Sequence, residues 1–382
     1  LFNRALQGLY TPGSTFKPSV AVAALDSGLI NQYSTVYCNG VYNYYKDYHP
    51  RCTRHGHSGN IDVVTAIKWS CNIFFYDVGR RLTSDVYDAY AYKLGLGQRT
   101  GVEVSEATGR LTTKNDSNYT SSLDVQAAIG QGNTVVTPIQ LATYAATLAN
   151  NGVRYRTHFV KAILDSNTGE VIRETQPEVM DVIEDNGTTF DLVRKGMMQV
   201  PSTISGKISS YPYAIACKTG TPQRSETYGS GKHYLNAVMV AYLPADDPQI
   251  AIGIAVEYGG YGARTGDLVV DIANAYFAMK DGTLTSGEEP AASTDQSTQT
   301  AGTTDTRNTV SAGGAAANTA APAETAAPAD QTAEETGEDV AQEVLPVQEQ
   351  TAALPQPAEE TQPEPVQTVP ENDPPAGGEA AE

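Results

Sequence analysis

The sequence predicts an α+β domain over residues 1–281, in which helices cover a mainly antiparallel sheet, followed by a disordered tail over residues 282–382. Helical and strand-like apolar patterns alternate up to residue 281, and the last three strand-like runs follow one another as a meander. Beyond that point the composition changes, because residues 282–382 contain no Phe, Trp or Tyr and hold 11 of the 21 prolines. The sequence therefore predicts one folded domain and one tail.

The charge distribution supports the same division. The tail has 19 acidic residues and one basic residue, Arg307, so it carries −18 of the chain's net charge of −19. Residues 1–281 have 25 acidic and 24 basic residues and are nearly neutral. A segment of the tail's composition buries too little apolar surface to offset the entropy of ordering. Neither the acidic tail nor the body, which has no basic run, suggests a nucleic-acid ligand.

The first half of the body is predicted to be mostly helical. An apolar helical face follows the turn-rich segment 8–13 and ends near Gly28. Residues 33–60 are rich in Tyr, Gly, His and Cys with little periodicity, which predicts an irregular insertion. Further helices are expected over residues 63–79, near 86–94, and from Pro138, which suits an early helical position.

The second half of the body supplies the sheet. A hairpin is predicted across Ser166-Asn167-Thr168-Gly169, and a helix is predicted near residues 188–200. An antiparallel meander is expected from the runs 213–219, 236–243 and 250–258, and an amphipathic helix over 268–279 is placed to cover it. No window approaches 18 consecutive apolar residues, so no membrane span is expected within this sequence.

Ser14 and Lys17 form the first candidate catalytic pair. Residues three apart on a helix share one face, so the lysine amine can reach the serine hydroxyl. Serine needs an adjacent base, and a lysine can serve when burial or nearby cations lower its pKa. Pro12-Gly13 before the pair and Pro18 after it favour a turn that leads into a helix. Taken alone, this spacing occurs by chance in most long proteins, and an exposed helical pair is the alternative.

Two further motifs complete a set. Ser70-Cys71-Asn72 lies in a predicted helix, where small polar residues could equally face a neighbouring element. Lys218-Thr219-Gly220-Thr221 ends an apolar strand, where Lys and Thr can hold a carboxylate and Gly admits a ligand backbone. The alternative for this motif is an edge strand that ends in a solvated lysine. Three motifs in the order S-x-x-K, S-x-N, K-T-G rarely occur together in one chain by chance.

The combined motifs resemble those of penicillin-binding proteins and serine β-lactamases. The flanking sequence resembles the class B, monofunctional penicillin-binding transpeptidases. The similar blocks are Asn3-Arg4-Ala5, Pro12 to Pro18, Ser70 to Phe75, Gly130-Gln131-Gly132, Thr137 to Gln140, and Ala216 to Gln223. The resemblance covers about residues 1–281 and implies the transpeptidase fold that these proteins share with serine β-lactamases.

This resemblance implies a peptidoglycan D,D-transpeptidase that works through an acyl-serine. Ser14 would attack the carbonyl of the penultimate D-alanine of a stem peptide, and Lys17 would take its proton. Ser70 would relay protons toward the leaving group, and Asn72 would orient the substrate amide. An amine from a neighbouring strand would then accept the acyl group.

The same resemblance assigns the K-T-G motif to substrate binding. Lys218 and Thr219 would hold the terminal carboxylate, and Gly220 and Thr221 would continue the binding strand. Backbone N–H groups of Ser14 and Thr221 would form the oxyanion hole. β-Lactam antibiotics mimic the D-Ala-D-Ala end and would leave a stable acyl-serine.

Cys38, Cys52, His57 and Cys71 form a second constellation, with gaps of 14, 5 and 14 residues. Three thiolates and one imidazole suit a tetrahedral zinc ion, and four protein ligands would make that ion structural. The chain resembles some elongation-type members of the family, in which a metal-binding insertion uses the middle residue of S-x-N as a ligand. The ion would then pin the insertion against Ser70.

Other outcomes stay open for these residues. Cys38 and Cys52 could form a disulfide outside the cell, or the thiols could be free. His55 or His49 could take the place of the histidine ligand. Cys217 lies in an apolar run and is predicted to be a core thiol.

The resemblance also implies partners and location. Peptidoglycan stem peptides and β-lactams are the expected ligands, and a polytopic glycosyltransferase is the expected protein partner. The chain starts at Leu1 and we take it as N-terminally truncated, with a membrane anchor and further sheet strands expected upstream. The catalytic domain would lie outside the cytoplasm, and the isolated fragment is not expected to form a complete, active domain. Alternative functions are a serine β-lactamase, a D,D-carboxypeptidase and a non-enzymatic β-lactam sensor.

Overall fold

The computed structural model describes residues 2–52, 56–185, 187–228 and 231–283, so the predicted tail lies outside the described residues from position 284 onward. The helices are α1 (Arg4–Gln7), α2 (Lys17–Asp26), α3 (Val63–Trp69), α4 (Asn72–Leu82), α5 (Ser84–Lys93), α6 (Ser121–Ala127), α7 (Pro138–Ala149), α8 (Thr189–Gln199) and α9 (Gly266–Lys280). The strands are β1 (Val36–Cys38), β2 (Gly59–Ile61), β3 (Val153–Tyr155), β4 (Ala162–Leu164), β5 (Val171–Glu174), β6 (Val179–Val182), β7 (Ala216–Gly220), β8 (Gln223–Tyr228), β9 (Lys232–Leu235), β10 (Ala237–Leu243) and β11 (Ile250–Val256).

The central sheet is antiparallel and has the order β11-β10-β7 within the described residues. Val240 in the middle strand pairs with Lys218 on one side and Gly253 on the other. Every residue of β10 is buried, as expected of a strand that is covered on both faces. The predicted meander is confirmed, and it places the K-T-G motif at the end of β7, whose residues are all buried.

Helices cover this sheet and enclose a helical core. Strands β10 and β11 pack against α7 and α9, and α2 packs against α4, α5 and α8. All residues from Lys17 to Leu25 in α2 are buried, and a helix buried on every side belongs to the centre of a domain. The nucleophile candidate therefore precedes the most buried helix of the domain. Among the described helices, none combines the length and apolarity that crossing a bilayer requires.

The single helix predicted over residues 63–79 is wrong, because the chain breaks at the S-x-N motif. Helix α3 ends where Ser70 adopts a left-handed conformation with φ +57°, and α4 begins at Asn72. The Ser70 N–H bonds the carbonyl of Ile67, and the Cys71 N–H bonds that of Ala66, which closes α3. The break turns the motif away from both helix axes and toward the core helix α2.

Sequence reasoning found one short hairpin and missed other short strand pairs. Within the described residues of the insertion, β1 pairs with β2, which sets Cys38 opposite Gly59, and Val41 forms an isolated bridge with Arg51. The hairpin predicted across Ser166-Asn167-Thr168-Gly169 is present as β4 and β5. A second hairpin, β8–β9, follows the K-T-G strand. Strands of three to six residues carry little periodicity, so a short hairpin is recognised mainly where turn residues mark it, as at 166–169.

Gly130 keeps the segment that carries Ser14 in place. Its carbonyl accepts the Gly13 N–H at 2.9 Å, and its φ is +73°. A Cβ at this position would lie 2.1 Å from the Gly13 carbonyl oxygen. The Gly130-Gln131-Gly132 block therefore serves as a close backbone support for the turn before α2.

We expect Gly130→Ala to destabilise the domain more than Gly169→Ala does. Gly169 has almost the same φ, +74°, but nothing lies within 4 Å of its Cβ position. Its substitution costs left-handed strain of about 1–2 kcal/mol, whereas Gly130→Ala must also shift backbone, which adds roughly 1–3 kcal/mol. Urea unfolding of both variants measures this difference in the free energy of unfolding. Equal losses would contradict the close approach.

Candidate active site

Ser14 lies in a single 3-10 turn, Gly13–Phe16, that leads directly into α2. Gly13 starts the turn with φ +55°, and the Thr15 hydroxyl donates to the Pro12 carbonyl at 2.8 Å. Gly13, Thr15 and Phe16 are buried, whereas Ser14 is partly exposed. The turn therefore leaves the serine partly accessible and holds its neighbours in the core.

Lys17 is fully buried at the start of α2, so the alternative of an exposed helical pair is wrong. Its Nζ donates to Asn72 Oδ1 at 2.6 Å, to the Ser70 carbonyl at 2.7 Å and to Ser70 Oγ at 3.1 Å. A buried amine needs such partners, because an unpaired one would lose its hydration without compensation. These bonds join the S-x-x-K motif to the S-x-N motif.

The Ser70 hydroxyl lies between two lysine amines. Lys218 Nζ donates to Ser70 Oγ at 2.9 Å, beside the 3.1 Å bond from Lys17. Lys218 is itself fully buried in β7, so the alternative of a solvated lysine at an edge is also wrong. One hydrogen-bonded group thus links motifs that lie about 200 residues apart in sequence.

The side-chain amide of Asn72 is oriented from both ends. Its Oδ1 accepts from Lys17, and its Nδ2 donates to the main-chain carbonyl of Arg51 at 3.2 Å. Sequence analysis did not predict a role for Arg51. Its main-chain carbonyl makes the contact, and every residue type has such a carbonyl. The insertion therefore contacts the hydrogen-bonded group of Lys17, Ser70 and Asn72 directly.

The end of β7 packs closely against the turn of Ser14. A Cβ on Gly220 would lie 2.4 Å from the Pro12 carbonyl oxygen, so only glycine fits there. Thr219 is largely buried next to Lys218. The Thr221 N–H lies 3.5 Å from the Cβ position of Gly13, and its Oγ1 accepts from Gly262 N at 3.0 Å. The two N–H groups predicted for the oxyanion hole therefore lie on adjoining segments.

The cysteine and histidine side chains of the second constellation also converge. The Sγ atoms of Cys38, Cys52 and Cys71 and a ring nitrogen of His57 all lie within 4.8 Å of one another. His57 Nε2 is 3.6 Å from Cys38 Sγ and 3.5 Å from Cys52 Sγ. Tetrahedral zinc with ordinary bond lengths would separate sulfur and nitrogen ligands by about 3.6 Å. The four donors therefore fit a zinc ion in both kind and spacing.

The structure bears on each alternative that the sequence left open for the cysteines and histidines. All four cysteines, which lie in the described part of the chain, are free, so no Cys38–Cys52 disulfide is formed. His49 Nε2 lies 3.0 Å from the Lys46 carbonyl oxygen instead of near the thiols, and His55 lies outside the described residues. Cys217 is buried in β7, and burial raises the pKa of its thiol to about 12, as expected of an unreactive core thiol.

Comparison with known proteins identifies the family. The chain matches the penicillin binding protein transpeptidase domain over residues 1–278, and it belongs to that family. Peptidoglycan D,D-transpeptidase MrdA of Acinetobacter baumannii is 30% identical over 339 residues, covering 77% of this chain and 49% of that protein. MrdA of Escherichia coli K12 is 29% identical over 320 residues, with coverages of 76% and 49%. The chain thus spans about half the length of the curated relatives it matches.

Comparison with solved structures indicates the same family. Pseudomonas aeruginosa PBP2 in complex with WCK 5153 is similar with a TM-score of 0.62 and 30% identity, covering 73% of this chain and 63% of that one. The imipenem acyl-enzyme of penicillin-binding protein A from M. tuberculosis has a TM-score of 0.62 at 25% identity, with coverages of 72% and 62%. Helicobacter pylori PBP2, solved in a complex with MreC, has a TM-score of 0.62 at 25% identity, with coverages of 74% and 52%.

We expect Lys17→Met to slow the formation of a covalent penicillin adduct by at least about 100-fold, the lower range for loss of a general base. The substitution also leaves Asn72 Oδ1 and the Ser70 carbonyl without their shared donor. Stopped-flow fluorescence with a labelled penicillin measures the rate. Lys93→Met, on the exposed end of α5, is the matched control and should react like the parent. A Lys17→Met variant that acylates at the parental rate would contradict this role.

Proposed function

We propose that this chain is the transpeptidase domain of an elongation-type class B penicillin-binding protein. Its substrates are peptidoglycan stem peptides, which it cross-links through an acyl-serine. The observation that carries the proposal is the single buried hydrogen-bond network of Lys17, Ser70, Asn72 and Lys218, placed directly after the Ser14 turn. The relatives named D,D-transpeptidase support the same chemistry.

Acylation begins with attack of Ser14 Oγ on the carbonyl of the penultimate D-alanine. The hydroxyl proton passes to Lys17 Nζ, and the N–H groups of Ser14 and Thr221 stabilise the oxyanion that develops. The C–N bond then breaks as the proton passes from Lys17, through the Ser70 hydroxyl, to the leaving nitrogen. The products are free D-alanine and an ester on Ser14.

Deacylation repeats these steps with an amine in place of the serine. The acceptor amine attacks the ester carbonyl, and its proton returns through Lys17 to Ser14 Oγ as the C–O bond breaks. During acylation Lys218 and Thr219 hold the terminal carboxylate, which then leaves with D-alanine. Asn72 binds the donor amide during both steps.

A β-lactam would stop this cycle at the ester. The imipenem acyl-enzyme of the M. tuberculosis protein shows that outcome for a member of the same fold. A serine β-lactamase would hydrolyse the ester rapidly, a D,D-carboxypeptidase would use water as the acceptor, and a sensor would acylate without turning over peptide. The lifetime of the ester and the identity of the acceptor separate these functions.

The test uses the full-length protein, a fluorescent penicillin and intact mass analysis. We expect an adduct on Ser14 that persists for many minutes and is absent in Ser14→Ala, because Ser14 is the nucleophile. A disaccharide stem-peptide donor should release D-alanine and yield cross-linked dimer when an amine acceptor is present. Rapid recovery of free enzyme with hydrolysed penicillin would favour a β-lactamase. Persistent acylation with no D-alanine release would favour a sensor.

We also propose that Cys38, Cys52, His57 and Cys71 bind one structural zinc ion. The spacing of the four donor atoms supports it, and so does the position of His57 Nε2, 3.6 Å from Cys38 Sγ and 3.5 Å from Cys52 Sγ. The ion would tie the end of β1 and the insertion to the first residue before α4. Cys71 lies between Ser70 and Asn72, so the same ligand would fix the S-x-N motif.

We expect the purified protein to contain about one zinc per chain, because four protein ligands complete the zinc shell. Cys38→Ser should lose most of the metal and melt at a lower temperature. Cys217→Ala removes a buried thiol outside the cluster and should keep the zinc. Metal analysis by mass spectrometry and differential scanning calorimetry give the two readouts. A metal-free parent, or equal metal loss in both variants, would contradict the site.

The intact protein is proposed to be anchored in the membrane by residues N-terminal to this chain, with the domain outside the cytoplasm. The greater length of the curated relatives supports further segments. A polytopic glycosyltransferase is the proposed partner, and a related structure of a peptidoglycan synthase complex supports it. The H. pylori structure shows a protein of this fold in a complex with MreC.

A further inference from the structure

Arg51 lies in the insertion, on one of two short segments, 40–42 and 50–52, that pair in an antiparallel manner. Val41 and Arg51 face each other across this pair in an isolated bridge. The flanking backbone hydrogen bonds, both 2.9 Å, run from Tyr42 N to the Pro50 carbonyl and from Cys52 N to the Gly40 carbonyl. Residues that face each other between two such bonds direct their own N–H and C=O groups away from the partner segment. The Arg51 carbonyl is therefore available for a bond outside the pair.

The Arg51 carbonyl makes that bond to the S-x-N motif. It accepts a hydrogen bond from Asn72 Nδ2 at 3.2 Å, and Asn72 Oδ1 accepts one from Lys17 Nζ at 2.6 Å. Two hydrogen bonds thus connect the Arg51 backbone to the proposed catalytic base. The side-chain Nδ2 of an asparagine carries two N–H groups, so the second N–H of Asn72 is left for a substrate. The backbone of Arg51 is therefore fixed beside the place where Asn72 would meet its ligand.

The side chain of Arg51 projects away from the core. Side chains alternate along an extended segment, and here Pro50 is buried, Arg51 is exposed, and Cys52 is half-buried with its sulfur in the cysteine cluster. The Arg51 guanidinium takes part in none of the hydrogen bonds and ion pairs found within the described residues. Arginine stays charged at any physiological pH. An exposed and permanently positive group thus stands next to Asn72.

The neighbouring sequence leaves this charge without a carboxylate of its own. Residues 48–61 contain neither Asp nor Glu. Asp47 precedes this run in an exposed loop, and Asp62 follows it as the cap of α3, where its carboxylate accepts from the Thr65 N–H at 2.7 Å. The positive charge of Arg51 is therefore available to an anionic group of a ligand.

The proposed function indicates which part of the donor lies near Arg51. Asn72 would bind the amide that joins the third residue of the stem peptide to the penultimate D-alanine. The carbonyl of this amide belongs to the third residue, so the α-carbon and side chain of that residue follow directly beyond Asn72. In a penicillin the acylamino group takes the place of this amide, and the α-carbon of its acyl group follows in the same way.

We infer that Arg51 is a specificity-determining residue that binds a carboxylate on the third residue of the donor peptide, or on the acyl group of a β-lactam. A guanidinium suits this task, because its planar N–H groups can form two parallel hydrogen bonds to one carboxylate. The Asn72 contact of its main chain sets the distance between the amide site and the charge. The inference rests on the proposed transpeptidase function and adds a preference for anionic donors.

Three penicillins test the preference in the full-length protein. Benzylpenicillin, carbenicillin and ampicillin share a phenylacetyl group, and their α-carbon carries a hydrogen, a carboxylate and an ammonium group respectively. We expect Arg51→Gln to lower the ratio of the carbenicillin acylation rate to the benzylpenicillin rate by about fivefold, the upper range for an exposed ion pair. The ampicillin ratio should rise, because a repelling charge is removed. Arg51→Glu should shift both ratios further, and intact mass of the Ser14 adduct measures the rates.

A matched control and a peptide assay complete the design. Lys46→Gln removes the same charge from an exposed position in the loop between the paired segments and should leave both ratios as in the parent. The peptide assay compares two donor stem peptides that differ only in whether a side-chain carboxylate on the third residue is free or amidated. Arg51→Gln should lower D-alanine release from the free form relative to the amidated form.

The outcomes are distinguishable. Unchanged ratios for the Arg51 variants, in either the penicillin or the peptide assay, would overturn the inference while the proposed function stands. Equal shifts in Lys46→Gln would show a general surface potential and would overturn it as well. A parent that forms no Ser14 adduct with any of the three penicillins would overturn the proposed function and the inference with it. Normal acylation of the parent, with ratios that shift only when Arg51 is changed, would support the carboxylate site.

Discussion

The buried amine of Lys17 is the interaction on which the arrangement of the cleft depends. An amine in the core must be hydrogen-bonded, because otherwise it loses hydration without replacement. Its partners here are Ser70 and Asn72, which are available only because α3 and α4 break between them. The Ser70 hydroxyl then receives Lys218 from the sheet. The hydrogen bonds that Lys17 requires therefore connect the core helix α2 to the break between α3 and α4. Through Ser70 they also connect it to strand β7.

The fold was predictable where sequence patterns are long, and not where they are short. The meander of β7, β10 and β11 was found because its runs are apolar and bounded by turns. The helix over 63–79 was drawn too long, because Val63, Ile67 and Phe74 continue one apolar period across the break. The residue type of Ser70 does not predict a left-handed conformation. Its hydrogen-bond partners on α2 and β7 hold it in that conformation.

The candidate site shows the same division between side chains and main chain. Side chains with rare chemistry, such as the three cysteines and the lysines of S-x-x-K and K-T-G, could be named from sequence and converge in the structure. The carbonyl of Arg51 could not be named, because any residue carries one. The choice of His57 over His49 also needed coordinates, since spacing alone left both open.

The left-handed conformation of Ser70 fits the rigidity that the proposed chemistry requires. A site that stabilises a developing charge must hold its groups in place before the reaction, since reorganisation would consume the stabilisation. Ser70 receives hydrogen bonds from two buried lysines and adjoins the cysteine cluster through Cys71. These buried hydrogen bonds offset the cost of the disfavoured conformation, and the packing of α2, which is buried from Lys17 to Leu25, stabilises the lysine that donates one of them.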